Sequence, residues 1–482
     1  MKAELFIDGV WRIGGGEQFA SYDPATGDAV WRGRSASVKD VAAAMAAARG
    51  AFPDWSARPL EHRLVMVRAF AKIIEARTDD FVRTISREMG KPFWDSRGEV
   101  QAMVGKVEIS IRAQTERAGA KQEQTPFGHA VLSHHAHGVL GVFGPFNFPG
   151  HLPNGHIVPA LLAGNCVVFK PSELTPGVGA LMVEAWEAAG LPLGVLNLLQ
   201  GARETGAALL DAPGLDGVLF TGAAQTGVFI HRKFAGRPEV LLALELGGNN
   251  PLIAWPPADP LASANLIVHS AFATSGQRCS CARRLILPVG GAGDAILEAL
   301  AALATNVVVG PATSIPEPFM GPLVSAVAAE RAMKFEAMLV AQGAKPILPL
   351  RRDGAFVFPG IVDVSGLAAP DEEVFGPLLQ VHRARDFDHA IEIANATRFG
   401  LAGGLLSGDA ELWKRVQRKL RVGVLNWNRP TTGASGALPF GGPGLSGSLR
   451  PSAFYAADYV AYPVATQMSE KVAPIPAPGL PT

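Results

Sequence analysis

Two of the chain's three cysteines fall in Gly276-Gln277-Arg278-Cys279-Ser280-Cys281, beside Arg283 and Arg284. A thiolate is the nucleophilic form of cysteine, and neighbouring positive charge favours it by lowering the thiol pKa. Upstream, Leu244-Glu245-Leu246-Gly247-Gly248 sets a carboxylate against a Gly-Gly turn. A thiol and a carboxylate base are a minimal set for covalent catalysis. A buried cysteine is more often structural than reactive, so this reading needs support from the rest of the chain.

Other stretches offer that support, each with a plainer alternative. Asn147, in Pro145-Phe146-Asn147-Phe148-Pro149, carries an amide that can stabilise an oxyanion, or it can simply form a turn. Phe220-Thr221-Gly222-Ala223-Ala224-Gln225-Thr226-Gly227 places glycines where a strand gives way to a helix. Backbone N–H groups there suit a pyrophosphate, although tight packing also asks for glycine. Lys170 and Glu173 follow another apolar run and can hold a ribose diol. Glu373 and Phe375, in Glu372-Glu373-Val374-Phe375-Gly376-Pro377, can line a second ribose site, or Glu373 can be a surface carboxylate. His134, His135 and His137 resemble a metal tract, but no HExxH or CxxC accompanies them, so no metal site is expected.

These residues must be positioned by regular elements. Glu4 to Trp11 reads as a hairpin turning at Asp8-Gly9. Ser37 suits the N-cap of an alanine-rich helix. Pro59 to Met89 has helical spacing and stops at Gly90-Lys91-Pro92, and a further helix covers Asp95 to Ala118. From Val139 onward, short apolar runs alternate with helical patterns: Val139 to Phe143, Cys166 to Lys170, Val195 to Leu199 and Gly217 to Phe220. Such units imply a parallel, doubly wound sheet with ligands at the strands' carboxyl ends. A second α/β series follows Leu244 to Ala254, and Tyr455 to Val464 reads as a last strand.

The chain has 482 residues, 48% of them hydrophobic, and 43 basic side chains balance 43 acidic ones. This length allows two cores. Balanced charge argues against nucleic acid and anionic membranes as partners. With three cysteines, no signal-peptide core and no long apolar run, a cytoplasmic enzyme is expected.

Taken in order, Pro-Phe-Asn-Phe-Pro at 145–149, Lys-Pro-Ser-Glu at 170–173, Phe-Thr-Gly at 220–222, Glu-Leu-Gly-Gly at 245–248, Gly-Gln-Arg-Cys at 276–279, Glu-Val-Phe-Gly-Pro at 373–377 and Pro-Phe-Gly-Gly at 439–442 resemble the aldehyde dehydrogenase superfamily. The resemblance implies that Cys279 attacks an aldehyde carbonyl, Asn147 stabilises the oxyanion, and Glu245 activates the hydrolytic water. It implies NAD as cofactor, with Gly222, Ala223 and Gly227 at the pyrophosphate, Lys170 and Glu173 at the adenosine ribose, and Glu373 with Phe375 at the nicotinamide end. Ala223 departs from the serine common there, and Phe146 from a common tryptophan.

The same resemblance implies an α/β fold of two doubly wound Rossmann-type domains with a small β oligomerisation extension. The expected limits are 1–118 and 138–246 for the NAD-binding domain and 247–447 for the catalytic domain. The extension takes 119–137 and 448–466, and 467–482 forms a Pro-rich tail. A homodimer or homotetramer is expected. Asn426-Trp427-Asn428-Arg429-Pro430-Thr431-Thr432-Gly433-Ala434, the run from Arg450 to Tyr459, and His151-Leu152-Pro153-Asn154-Gly155-His156 are similar to a subgroup that oxidises a semialdehyde bearing two carboxylates. Arg278 and Arg429 are then candidates to receive them. Alternatives are another semialdehyde such as succinate semialdehyde, a CoA-acylating relative, or a catalytically dead binding or structural relative.

Overall fold

The short apolar runs pair as parallel strands. The computed structural model describes residues 5–126, 128–475 and 477–480. Glu4, where the first strand is expected to begin, lies outside the described residues, as do 476, 481 and 482 of the expected tail. Two seven-stranded sheets dominate. The first runs Leu241–Leu246, Gly217–Gly222, Val139–Phe143, Cys166–Lys170, Leu196–Leu198, Leu5–Ile7 and Val10–Arg12. All its pairings are parallel except the closing hairpin and its junction. Val139–Phe143 and Cys166–Lys170 are buried at every residue, as befits strands covered by helices on both faces. Winding reverses at Val139–Phe143, because Gly217–Gly222 pairs on the side opposite Cys166–Lys170. Loops leaving the two strands diverge there and open a crevice.

The second sheet runs Lys345–Leu348, Gly360–Asp363, Leu378–Ala384, Ala282–Pro288, Asn250–Ala254, Ala402–Leu406 and Val424–Trp427. Only its first pairing is antiparallel. Each sheet has its own apolar interior. Glu245 ends the last-formed strand of the first sheet, and Cys279 precedes the Ala282–Pro288 strand of the second.

Four helices precede the first parallel strand. Ser37 caps Val38–Ala57 reciprocally with Asp40, a capping box. The helical pattern expected from Pro59 to Met89 is broken at Arg77 into Leu60–Ala76 and Thr78–Met89. Phe93–Ala118 carries a buried polar stripe along its apolar face: Asp95, Glu99, Lys106 and Ser110 beside Val100, Met103 and Val107. These positions recur at helical spacing, so one face of the helix carries charge inside the protein.

Lys121–Thr125, Gly128–Ala136 and Ala461–Met468 form a separate antiparallel sheet. Residues 448–460 do not join it, which corrects the strand expected from Tyr455. Ala456–Tyr459 is instead a helical turn, with Ala456 and Tyr459 in the first sheet's core. The strand runs on to Met468, past the limit expected for the extension. The physical reason is burial on all sides around Tyr459, where a half-buried strand would alternate. Within this sheet His135 pairs with Tyr462, and the rings of His135 and His137 both lie against Tyr462. No helix among the described residues is long and apolar enough to cross a membrane.

Candidate active site

Cys279 leaves a turn whose backbone is strained. Thr274 and Ser275 have φ of 55° and 56°, a left-handed conformation that costs non-glycine residues roughly 1–3 kcal/mol each. Side chains hold it in place. Thr274 Oγ1 donates to Asp95 Oδ2 at 2.5 Å and Ser275 Oγ to the Gly321 carbonyl at 2.7 Å. Gln277 Oε1 accepts the Val324 N–H at 2.9 Å. Asn250 Nδ2 donates to the carbonyls of Cys279 and Cys281 at 2.7 and 2.8 Å. Cys279 is thereby fixed in a partly exposed position, while Cys281 is fully buried behind the turn.

Two cavities meet at this cysteine. One, of about 520 Å³, is lined by Lys170, Glu173, Gly222, Ala223, Glu373 and Phe375. The other, of about 350 Å³, is lined by Lys106, His151, His156, Arg278, Ser435 and Ser452. Cys279 and Glu245 belong to both linings. A ligand entering from either side therefore reaches the same thiol and the same carboxylate.

Glu245 is buried, and Ser452 donates its N–H to Oε1 at 3.0 Å. Burial raises its pKa to about 7, against the lowering by Ser452 and by the Lys106 ammonium. At neutral pH such a carboxyl can both take and give a proton. Asn147 is buried too, and its Nδ2 donates to the Gln277 carbonyl at 2.9 Å. That contact uses one of two N–H groups and orients the other.

The flanking arginines do not act on the thiol as the sequence suggests. Burial first, then the Glu373 and Glu245 carboxylates, push the Cys279 thiol well above its ordinary range, and Arg283 offsets this only in part. Arg278 is tied to Asp95 at 2.8 Å and to Thr274 Oγ1 at 2.7 Å. Arg284 donates to the carbonyls of Asn249, Ile393 and Ala394. Their charge and donors are committed to the scaffold. The resting thiol is protonated, and a base must remove its proton.

The larger cavity fits a dinucleotide on its own features. Among the described residues Glu373 Oε1 is buried without a hydrogen-bond partner, with Arg283 Nη2 3.9 Å away, so it can accept from a donor such as a ribose hydroxyl. A Cβ on Gly247 would stand 1.7 Å from Glu373 Oε2, so glycine is needed there. Ala223 is the N-cap of Ala224–Lys233 and gives no side-chain cap, which leaves the helix's first N–H groups open to an anion. Gly227 does not join this lining: a Cβ there would meet Leu246 Cδ2 at 2.3 Å, so Gly227 serves helix–strand packing. Lys170 Nζ donates to the Pro171 carbonyl at 2.9 Å and lies 3.8 Å from Glu173.

Arg429 stands apart. It is exposed in the loop after Val424–Trp427, and that loop reaches the smaller cavity through Thr432, Ala434, Ser435 and Gly436 instead. Arg429 itself, expected to receive a substrate carboxylate, does not line this cavity. Lys106, Ser452 and Asp95 were not singled out from the sequence. The charged positions within the apolar spacing of 93–118 are the signal that could have found Lys106 and Asp95.

The aldehyde dehydrogenase family model matches residues 11–462. N-succinylglutamate 5-semialdehyde dehydrogenase 2 of Caulobacter vibrioides is 57% identical over 97% of this chain and 96% of its own. N-succinylglutamate 5-semialdehyde dehydrogenase of Paraburkholderia xenovorans is 52% identical over 98% of this chain and 97% of its own. Among solved structures, 1-pyrroline-5-carboxylate dehydrogenase from Thermus with bound NAD superposes with a TM-score of 0.90 at 31% identity, covering 96% of this chain and 92% of that one. The resemblance carried by the ordered motifs is borne out. The chain belongs to the aldehyde dehydrogenase family and is an oxidoreductase that acts on a small-molecule aldehyde with a nicotinamide cofactor.

Proposed function

We propose that the chain oxidises N-succinyl-L-glutamate 5-semialdehyde to N-succinyl-L-glutamate with NAD, a step of the arginine succinyltransferase pathway. The observation that carries this reading is the meeting of two cavities at Cys279 and Glu245, one able to take a dinucleotide and the other bringing Lys106 and Arg278, beside Asp95 and Glu99, to the same thiol. Near-full-length similarity to proteins named for that activity supports the substrate.

Cys279 is assigned as the nucleophile. Glu245 takes the thiol proton, and the sulfur adds to the aldehyde carbonyl to give a thiohemiacetal. Asn147 donates its free N–H to the oxyanion. A nicotinamide bound in the larger cavity supplies the acceptor for the hydride, which leaves a thioester on Cys279. Glu245 gives the thiol proton up to solvent and then removes a proton from water, whose oxygen adds to the thioester carbonyl. Collapse releases the carboxylic acid and restores the thiol. Lys170 and Glu173 hold the adenosine ribose, Gly222 and Ala223 face the pyrophosphate, and Glu373 with Phe375 holds the nicotinamide end. A carboxylate at Glu173 repels a 2′-phosphate, which favours NAD over NADP.

Among the described residues, the three-stranded sheet leaves the outer edges of Lys121–Thr125 and Ala461–Met468 unpaired. We read them as edges that a second copy covers in a homodimer or homotetramer. The expected domain limits are kept, with the extension redrawn to 119–137 and 461–468. Three free thiols fit a reducing compartment, the cytoplasm. The test is NADH formation with succinylglutamate semialdehyde and succinate semialdehyde, each with NAD and with NADP. Preference for succinate semialdehyde would reject the substrate, and preference for NADP would reject the cofactor.

A further inference from the structure

Charges buried around the smaller cavity are almost all paired. Lys91 Nζ meets Glu99 Oε2 at 2.7 Å with both side chains wholly buried. Arg278 meets Asp95 at 2.8 Å. Lys106, from the same helix, differs. It is only 4% exposed, yet its ammonium makes no hydrogen bond or ion pair with any described residue. A buried ammonium without an acceptor is costly and is retained where something else supplies the acceptor.

The carboxylates that share its cavity are engaged elsewhere: Glu99 with Lys91 and Asp95 with Arg278. On the helix His151–Ala163, His151 is half-buried and His156 buried, and desolvation drives both pKa values down to about 3, so both are neutral. His156 spends both ring nitrogens on Tyr459 Oη at 2.9 Å and Thr221 Oγ1 at 3.1 Å. Glu245, at the end of Leu241–Leu246, attracts Lys106 without reaching ion-pair distance. Arg278 adds positive charge from the cysteine turn. Glycine also makes room: a Cβ on Gly155 would lie 3.3 Å from Lys106 Cε. The lysine arm thus crosses a gap in the facing helix, and its head lines the cavity that holds Cys279.

We propose that Lys106 receives the substrate carboxylate nearer the aldehyde and is a specificity-determining residue of this chain. This rests on the reading above that the substrate is a dicarboxylate semialdehyde. The carboxylate supplies the acceptor that the protein withholds, and a charge-assisted hydrogen bond forms inside a low-dielectric cavity. Nearness to Glu245 means that the same contact sets the aldehyde carbon beside the base and the thiol. Lys106 acts by positioning, and no bond to it forms or breaks.

The test compares wild type, Lys106→Met and Lys106→Arg. Methionine keeps the length and drops the charge, and with no buried ammonium left to desolvate the fold should be kept. KM and kcat are measured for succinylglutamate semialdehyde and for pentanal, a neutral aldehyde. Calorimetry gives the Kd of the product, N-succinylglutamate, without turnover. Losing one charge-assisted contact should raise KM and product Kd about ten- to a hundredfold in Lys106→Met. Any change that Lys106→Met makes to Glu245 falls on both aldehydes alike, so KM for pentanal should rise by a much smaller factor than KM for succinylglutamate semialdehyde, and Lys106→Arg should recover part of the difference. Equal changes for both aldehydes, or an unchanged product Kd, would overturn the proposal and leave Lys106 as a modulator of Glu245. If wild type prefers another carboxylated aldehyde, the substrate reading falls, and the same comparison on that aldehyde still decides Lys106. If no carboxylated aldehyde is preferred over pentanal, Lys106 has no such role.

Discussion

Asp95 and Arg278 lock the helix Phe93–Ala118 to the cysteine turn through a 2.8 Å ion pair, with Thr274 hydrogen-bonded to both. Burial raises the Asp95 pKa, but Arg278, Lys91 and Thr274 outweigh it and leave the carboxyl below its ordinary range. Removing one partner of a buried pair strands the other. Asp95→Asn should therefore cost about 3 kcal/mol in stability. It should also lower kcat, because the strained Thr274–Ser275 backbone loses its tether. The double variant Asp95→Leu/Arg278→Met should lose less than the two single variants combined. Thermal unfolding and steady-state kinetics on wild type, Asp95→Asn, Asp95→Leu, Arg278→Met and the double variant check this, and strict additivity in the last three would mean that the pair is not coupled.

Cys279 is set to react only on demand. Burial and two carboxylates hold its thiol protonated, so its alkylation by iodoacetamide near neutral pH should be slower than that of a free thiol. Alkylation should accelerate as pH rises. Cys279→Ala should abolish NADH formation. Cys281→Ala should largely keep it, since the Cys281 thiol faces the Ala273 carbonyl behind the turn. Mass spectrometry of the labelled peptide identifies the reacting cysteine. Rapid labelling of Cys279 at neutral pH would show that the arginines win after all.

Glu373 links site chemistry to stability. Its pKa in the folded protein, about 7, stands above the ordinary 4.5 because of burial, with Arg283 and the Gly248 N–H opposing. A raised carboxyl contributes stability that is fully present below its unfolded pKa and lost as pH rises through the folded one. Glu373→Gln removes that loss. The variant should be more stable than wild type by about 1–3 kcal/mol near pH 8 and no more stable near pH 4.5. NAD should bind it more weakly, because an amide oxygen is a weaker acceptor than the carboxylate. Urea melts at the two pH values, with NAD titrations, test both halves.

The sequence was most legible where composition dictates geometry. Apolar runs with turn residues marked the strands of both sheets, and the Gly-Gly pair after Glu245, read as a turn, lies against Glu373. Ser37 announced a helix start by its type and place before the alanine-rich run. What stayed hidden was pairing at a distance. Arg278, Arg283 and Arg284 looked like activators of a thiol, but Asp95 and several backbone carbonyls, distant in sequence, had already claimed them. Lys106 sat unremarked inside a helical pattern, because periodicity reports which face is buried and says nothing of a charge left there. Arg429 suited a carboxylate by type, yet its loop turned the neighbouring residues inward.

Glu173 provides the test of cofactor choice. Its side chain is 47% exposed and lies 3.8 Å from the buried Lys170 ammonium. With Glu173 assigned to the adenosine ribose, its carboxylate accepts from the diol and repels a phosphate on the same sugar. A half-exposed charge is screened by water, so the repulsion should be modest, on the order of 1–2 kcal/mol. Glu173→Gln keeps the shape and removes the charge. It should lower KM for NADP about tenfold while raising KM for NAD severalfold, since an amide oxygen is the weaker acceptor. High salt should narrow the wild-type preference and barely affect the variant, because only wild type carries the screened charge. An unchanged NADP-to-NAD ratio in Glu173→Gln would move the source of cofactor preference away from this carboxylate, with Lys170 and the open helix N-terminus at Ala223 next to be tested.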